Sequence, residues 1–77
     1  MYHRLLEEYL THYQPYLKEE LLRTGTLPRY LEEQNTIILE MRRQMVMRLM
    51  EMHPQMSPLQ RELEAEQMIQ ELYLTPS

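Results

Sequence analysis

Residues 37–56 read IILEMRRQMVMRLMEMHPQM and hold six of the eight methionines of this 77-residue chain. The stretch is rich in Leu, Met, Glu and Arg, which lose little side-chain freedom in a helix, and it ends at His53-Pro54 because the residue before Pro avoids α geometry. At 3.6 residues per turn, its apolar side chains form a stripe about 120° wide. The members of this stripe are Ile37, Ile38, Met41, Met45, Leu49, Met52 and Met56. The pattern predicts a long central helix.

Three further apolar residues, Val46, Met47 and Met50, lie outside this stripe on the far side of the same helix. A helix that is apolar nearly all round must be covered from more than one direction. Either the other helices of the chain wrap around it, which makes the three residues part of the core, or a second molecule covers them. We expect an intermolecular interface, because the chain is too short to cover every side and Met is common on surfaces that accept partners.

Three helical regions are predicted, at about 2–23, 27–52 and 58–73, and together they form one domain. All the apolar periodicities are 3.5 to 3.6 residues, which is helical, and none is two. Pro15 removes a backbone hydrogen bond inside the first region, so that region is expected to be kinked or broken there. The polar triplet Gln34-Asn35-Thr36 could interrupt the middle region, although a continuous helix is favoured. The fold class is all-α, a small bundle around the central helix.

Local signals mark the ends of these regions. Gly25 offers a left-handed position that ends the first region, and Thr26 is expected to be the N-cap of the second. Ser57 is expected to be the N-cap of the third, with Pro58 in its first turn and Gln60 completing a capping box. Residues 75–77 are expected to fray.

Apolar spacing predicts which side chains the two outer regions bury. In the first region, aromatic and leucine side chains follow the alternating four-and-three spacing of a helix–helix seam. The expected seam is Tyr2, Leu6, Tyr9, Tyr13 and Tyr16. The residues expected to be buried in the last region are Leu59, Leu63, Ala65, Ile69 and Leu72.

Composition argues against several classes of function. The chain has no Cys, which removes disulfides, thiolate metal sites and Cys nucleophiles, so oligomerisation is the remaining way to reinforce a small core. One Gly is too few for a P-loop or a dinucleotide fingerprint, and the lack of Asp excludes an EF-hand. No nucleophile, base and orienting group converge. We therefore expect no enzyme, no cofactor and no metal.

The charge pattern weighs against nucleic acid as the main partner. The net charge is −4, and residues 57–77 carry Arg61 alone against four Glu side chains. Phosphate binding needs clustered Lys and Arg, and the one basic cluster is Arg42, Arg43 and Arg48. Arg42 and Arg43 point about 100° apart on a helix and do not make one patch.

Function is predicted from these observations only as a class. We expect a small protein–protein interaction module that uses the Met-rich helix face, either as a homodimer or as an adaptor or regulatory subunit of a larger partner. The alternative is a small dimeric nucleic-acid-binding regulator that uses Arg42, Arg43 and Arg48. No apolar run exceeds three residues and the first residues do not resemble a signal peptide, so a cytoplasmic protein with no membrane segment is expected.

Overall fold

The structure, a computed structural model, describes residues 1–74; the predicted fraying of residues 75–77 lies outside this range. The helices are α1 (His3–Tyr13), α2 (Pro15–Thr24), α3 (Leu27–Met52) and α4 (Pro58–Tyr73), and no strand occurs in the described range. The all-α prediction is confirmed. The molecule is elongated, with extents of 49 × 22 × 16 Å along its principal axes.

The first predicted region is broken rather than kinked. Gln14 leaves helical geometry, with φ −138° and ψ 56°, and Pro15 opens α2 as its first residue. Pro is well suited to this position, because the N–H that it lacks would have no partner in a first turn. The Lys18 ammonium reaches back across the corner to the Thr11 hydroxyl, at 2.8 Å. The two helices therefore fold against each other instead of continuing in one direction.

Gly25 ends α2 in the left-handed conformation that the sequence predicts, with φ +72°. Its N–H donates to the Leu22 carbonyl at 3.2 Å, and the Thr26 N–H donates to the Leu21 carbonyl at 2.9 Å. These two bonds form a Schellman motif, which satisfies carbonyls that the end of a helix leaves open.

The two predicted N-caps have different outcomes. Ser57 has the extended backbone of an N-cap, with φ −66° and ψ 153°, and its hydroxyl accepts the Gln60 N–H at 3.2 Å. The side-chain amide of Gln60 donates onward to Glu64. Thr26 occupies the predicted N-cap position of α3, but its side chain makes no cap bond and its hydroxyl lies 2.8 Å from that of Thr24. The backbone of Thr26, at φ −105° and ψ 5°, lacks the extended conformation that a capping side chain needs.

α3 runs without interruption through Gln34-Asn35-Thr36. Asn35 is buried, and its side-chain carbonyl accepts the Tyr2 N–H at 2.7 Å. The Thr36 hydroxyl donates to the Glu32 carbonyl one turn earlier. These bonds occupy side chains that would otherwise compete with the helical backbone.

The core lies mainly at one end of the molecule. α1 begins beside the middle of α3 and runs back toward the start of α3, and α2 packs on both helices. The main cluster of buried residues is Tyr2, Leu6, Leu10, Leu27, Leu31, Ile38 and Ile69. Beyond this cluster α4 packs on the second half of α3, where Leu49 and Ala65 are also buried. The molecule is therefore several helices thick at one end and a two-helix hairpin at the other.

This uneven thickness overturns part of the predicted core. Tyr13 and Tyr16 are exposed, because the break at Pro15 turns α2 away from the line of the expected seam. In α4, Ala65 and Ile69 are buried as predicted, but the expected burial of Leu59, Leu63 and Leu72 is wrong. Two members of the α3 stripe, Ile37 and Met52, are also exposed. A helix in a hairpin buries only the side that faces its one neighbour.

Candidate interaction surface

The three residues predicted to meet a partner lie on a side of α3 that the other described helices leave uncovered. Met47 and Met50 are each 49% exposed, and Val46 is half-buried. Leu39, two turns before Val46, is also exposed and continues the same line. We call these four residues the outer face of α3. Leu39 could have been found from its seven-residue spacing to Val46.

Arg43 lies within the outer face, but its charge is paired. Its guanidinium donates two hydrogen bonds to Glu40, at 2.6 and 3.1 Å, and a third nitrogen lies 3.7 Å from the Met47 sulfur. The hydrogen bonds from Arg43 hold the pKa of the Glu40 carboxyl below its ordinary value. The outer face is therefore apolar, with one internally neutralised ion pair.

The three basic residues proposed for nucleic acid are not brought together. Arg42 bridges to α4, where its guanidinium bonds Glu62 at 2.7 Å and Glu66 at 3.2 Å. Arg43 is bound to Glu40 on its own helix. Arg48 lines a small cleft of about 110 Å³ on another side of α3. The positive charges point in three directions, and two of them face carboxylates.

Glu66 connects α4 to both α3 and the start of α1. Its carboxylate accepts hydrogen bonds from the Tyr2 hydroxyl, from Arg42 and from Gln70. Burial alone would raise the pKa of Glu66, but these donors outweigh it and leave the pKa below its ordinary value. Burial and the hydrogen bond to this carboxylate raise the pKa of Tyr2 to about 12. Apolar periodicity does not predict the contacts of Glu66 and Asn35, because both side chains are polar.

α4 carries two exposed leucines on the side of the α3–α4 hairpin where Val46 lies. Leu59 and Leu63 are 71% and 62% exposed, and their spacing places them on one line with Glu66. Glu66 touches Arg42, which is one turn from Val46 on α3. This contact shows that the edge carrying Leu59 and Leu63 lies beside the edge carrying Val46. Helical spacing therefore puts the two edges on one side of the α3–α4 hairpin, and we call their apolar residues the open groove: Leu39, Val46, Met50, Leu59 and Leu63.

The described residues offer little for other kinds of site. Within residues 1–74 no group of three His, Cys, Asp or Glu side chains is placed to hold a metal ion. His3 instead lies 2.6 Å from Glu32. No helix in this part of the chain is both long and apolar enough to cross a membrane. Comparisons with protein-family models, with curated proteins and with solved structures find no match to this chain.

Proposed function

We propose that this chain is a protein–protein interaction module that binds its partner through the outer face of α3. The observation that carries the proposal is the pair Met47 and Met50, both about half exposed on a side of α3 that no other helix of residues 1–74 covers. Full removal of a Met side chain from water contributes roughly 1.5–3 kcal/mol, so several half-exposed side chains supply a useful part of a binding energy. The partner is a second copy of the chain or a larger protein that this chain regulates.

The chemistry of the face supports an apolar partner surface. Arg43 is already paired with Glu40, so the face offers no unpaired charge from these two residues for a strongly acidic or basic ligand. Met side chains are flexible and adapt to irregular surfaces. Binding through such a face should depend weakly on salt, whereas binding to phosphates falls steeply as salt rises.

Photo-cross-linking in cells tests this proposal. Benzoylphenylalanine is placed at position 47 or 50, and, as a matched control, at the exposed position of Glu19 on α2. We expect discrete cross-linked protein bands from positions 47 and 50 that are absent from position 19. Equal labelling at all three positions, or cross-links from position 19 alone, would show that the outer face of α3 is not the binding surface.

A further inference from the structure

We infer that the partner on this surface is a second copy of the chain, and that two α3–α4 hairpins pack face to face as a four-helix bundle. This inference rests on the proposed function, because it uses the same face of α3. It extends that face to α4, so that the proposed interface is the open groove together with Met47. The sequence-based interface of Val46, Met47 and Met50 would be about half of the contact.

The groove between α3 and α4 is already filled along part of its length. At the middle of α3, Tyr2 bonds to Asn35 on α3 and to Glu66 on α4, so the start of α1 lies across both helices. Toward the 53–57 loop the same side of the hairpin carries Val46, Leu59 and Leu63, with no helix over them in the described chain. The start of α1 therefore covers one half of the α3–α4 hairpin, and no described helix covers the other half.

The surface area of the chain exceeds that of a compact monomer of the same mass. The accessible surface is 5828 Å², whereas a compact monomer of 9.6 kDa exposes about 5,100 Å². The radius of gyration is 14.7 Å, against about 11.5 Å for a compact chain of this length. The excess surface of about 700 Å² is close to the roughly 800 Å² that each partner buries in a standard stable interface.

Symmetry makes a second copy the best fit to this groove. A twofold axis across the helices pairs each α3 with its mate in antiparallel orientation and sends the two α1–α2 ends to opposite ends of the assembly. A twofold axis parallel to the helices would instead stack the two α1 helices against each other. The second half of α3 contributes few residues to the buried cluster, and an identical copy would cover it with an equal apolar area.

Sedimentation equilibrium of the full chain from about 1 to about 100 µM tests the inference. We expect the wild-type mass to rise toward twice 9.6 kDa. Met50→Lys should weaken self-association by about a hundredfold, because it places a charge in the groove. Ile37→Lys is the matched control: Ile37 is 50% exposed on the same helix but lies outside the groove, so this variant should associate like the wild type.

Disulfide cross-linking gives an answer even if Met50→Lys unfolds on dissociation. The chain has no Cys, so Met47→Cys introduces a single thiol within the proposed interface. Oxidised glutathione accepts the two electrons and two protons of a thiol pair, giving one inter-chain disulfide and two reduced glutathione molecules. We expect rapid formation of a covalent dimer from Met47→Cys and slow formation from Ile37→Cys. Equal rates would overturn the inference.

The outcomes separate this inference from the proposed function. A wild-type chain that stays monomeric at the highest concentration, while position 50 still cross-links to another protein in cells, rejects the second copy and keeps the interaction module. A monomeric chain with no cross-link from position 47 or 50 rejects both. A dimer that Ile37→Lys disrupts and Met50→Lys does not would place self-association on another side of α3 and reject the groove.

Discussion

Asn35 shows how one buried polar residue joins two helices. Among residues 1–74 it is the buried polar side chain of the core, and it accepts the backbone N–H of Tyr2 just before α1. α1 has no side-chain cap of its own, so α3 supplies the acceptor that the start of α1 lacks. A residue of modest helix propensity is thus retained in the middle of the longest helix.

Asn35→Ala should lower the free energy of unfolding by about 1–3 kcal/mol, because it leaves the buried Tyr2 N–H without a partner. Urea denaturation measures the change. Thr36→Ala is the neighbouring control, since its exposed hydroxyl bonds only a carbonyl of its own helix and its loss should change stability by less than about 0.5 kcal/mol. Equal effects of the two substitutions would contradict the role assigned to Asn35.

We predict that the folded chain loses stability in alkali as the Tyr2 hydroxyl ionises. Its pKa is about 12 in the folded chain against an ordinary value of 10.0, so the folded state holds this proton more tightly. The contribution to stability is therefore complete below pH 10 and is lost as the pH rises from 10 toward 12.

Tyr2→Phe should remove this part of the pH dependence. We expect the stability difference between wild type and Tyr2→Phe to be constant up to about pH 10 and to shift in favour of the variant above it. Urea denaturation at several alkaline pH values measures the difference. Tyr16→Phe is the control, because Tyr16 is 86% exposed and its removal should leave the pH profile of the wild type unchanged. A profile of Tyr2→Phe that parallels the wild type would refute the assignment.

At the scale of the helix, backbone conformation decides which polar residue acts as a cap. Ser57 and Thr26 both precede a helix with Pro in its first turn. Only Ser57 has the extended backbone that directs its hydroxyl toward the third residue of the helix, where it accepts the Gln60 N–H. Thr26 instead provides the N–H that closes the Schellman motif of α2, which places its backbone in another conformation.

Ser57→Ala should therefore destabilise the chain by about 1 kcal/mol, the usual value of a lost N-cap. Thr26→Ala should change the free energy of unfolding by less than about 0.5 kcal/mol, because no cap bond is lost. Thermal and urea denaturation of the pair give the comparison. The interpretation would be wrong if Thr26→Ala were the more destabilising of the two.

At the scale of the whole molecule, stability should be distributed as unevenly as the core. The first half of α3 packs with α1 and α2, and most of the buried cluster lies there. The second half forms a hairpin with α4 alone in the described chain, and its groove leucines and methionines remain exposed. Segments with few buried apolar contacts open more readily than the core.

Hydrogen exchange at low protein concentration should reveal this difference. We expect the backbone amides of residues 44–52 to exchange faster than those of residues 29–38, although both segments belong to the same continuous helix. Raising the concentration should slow exchange in residues 44–52 selectively if a second copy covers the open groove. Uniform protection along α3 at every concentration would show that the hairpin is stable by itself.

Local signals in the sequence were sufficient for most of the helix ends. Gly25, Pro15, His53-Pro54 and Ser57 each act on the few residues around them, through φ preference, a missing N–H or a cap, so their effects can be predicted without knowing what packs nearby. The position of Val46, Met47 and Met50 outside the main stripe is equally local, because helical periodicity alone places them there. That a partner binds them stays a prediction.

Only the tertiary structure decided which apolar and polar side chains are covered. Leu59 and Leu63 follow the same apolar pattern as buried Ile69 but are exposed, and polar Asn35 is buried. Arg42, predicted as part of a basic cluster, is bound to Glu66, 24 residues away. The physical reason is that helical periodicity determines which side of a helix is apolar, whereas burial depends on how many other helices reach that side. In this chain, the break at Pro15 and the start of α1 at the middle of α3 provide that cover at one end only.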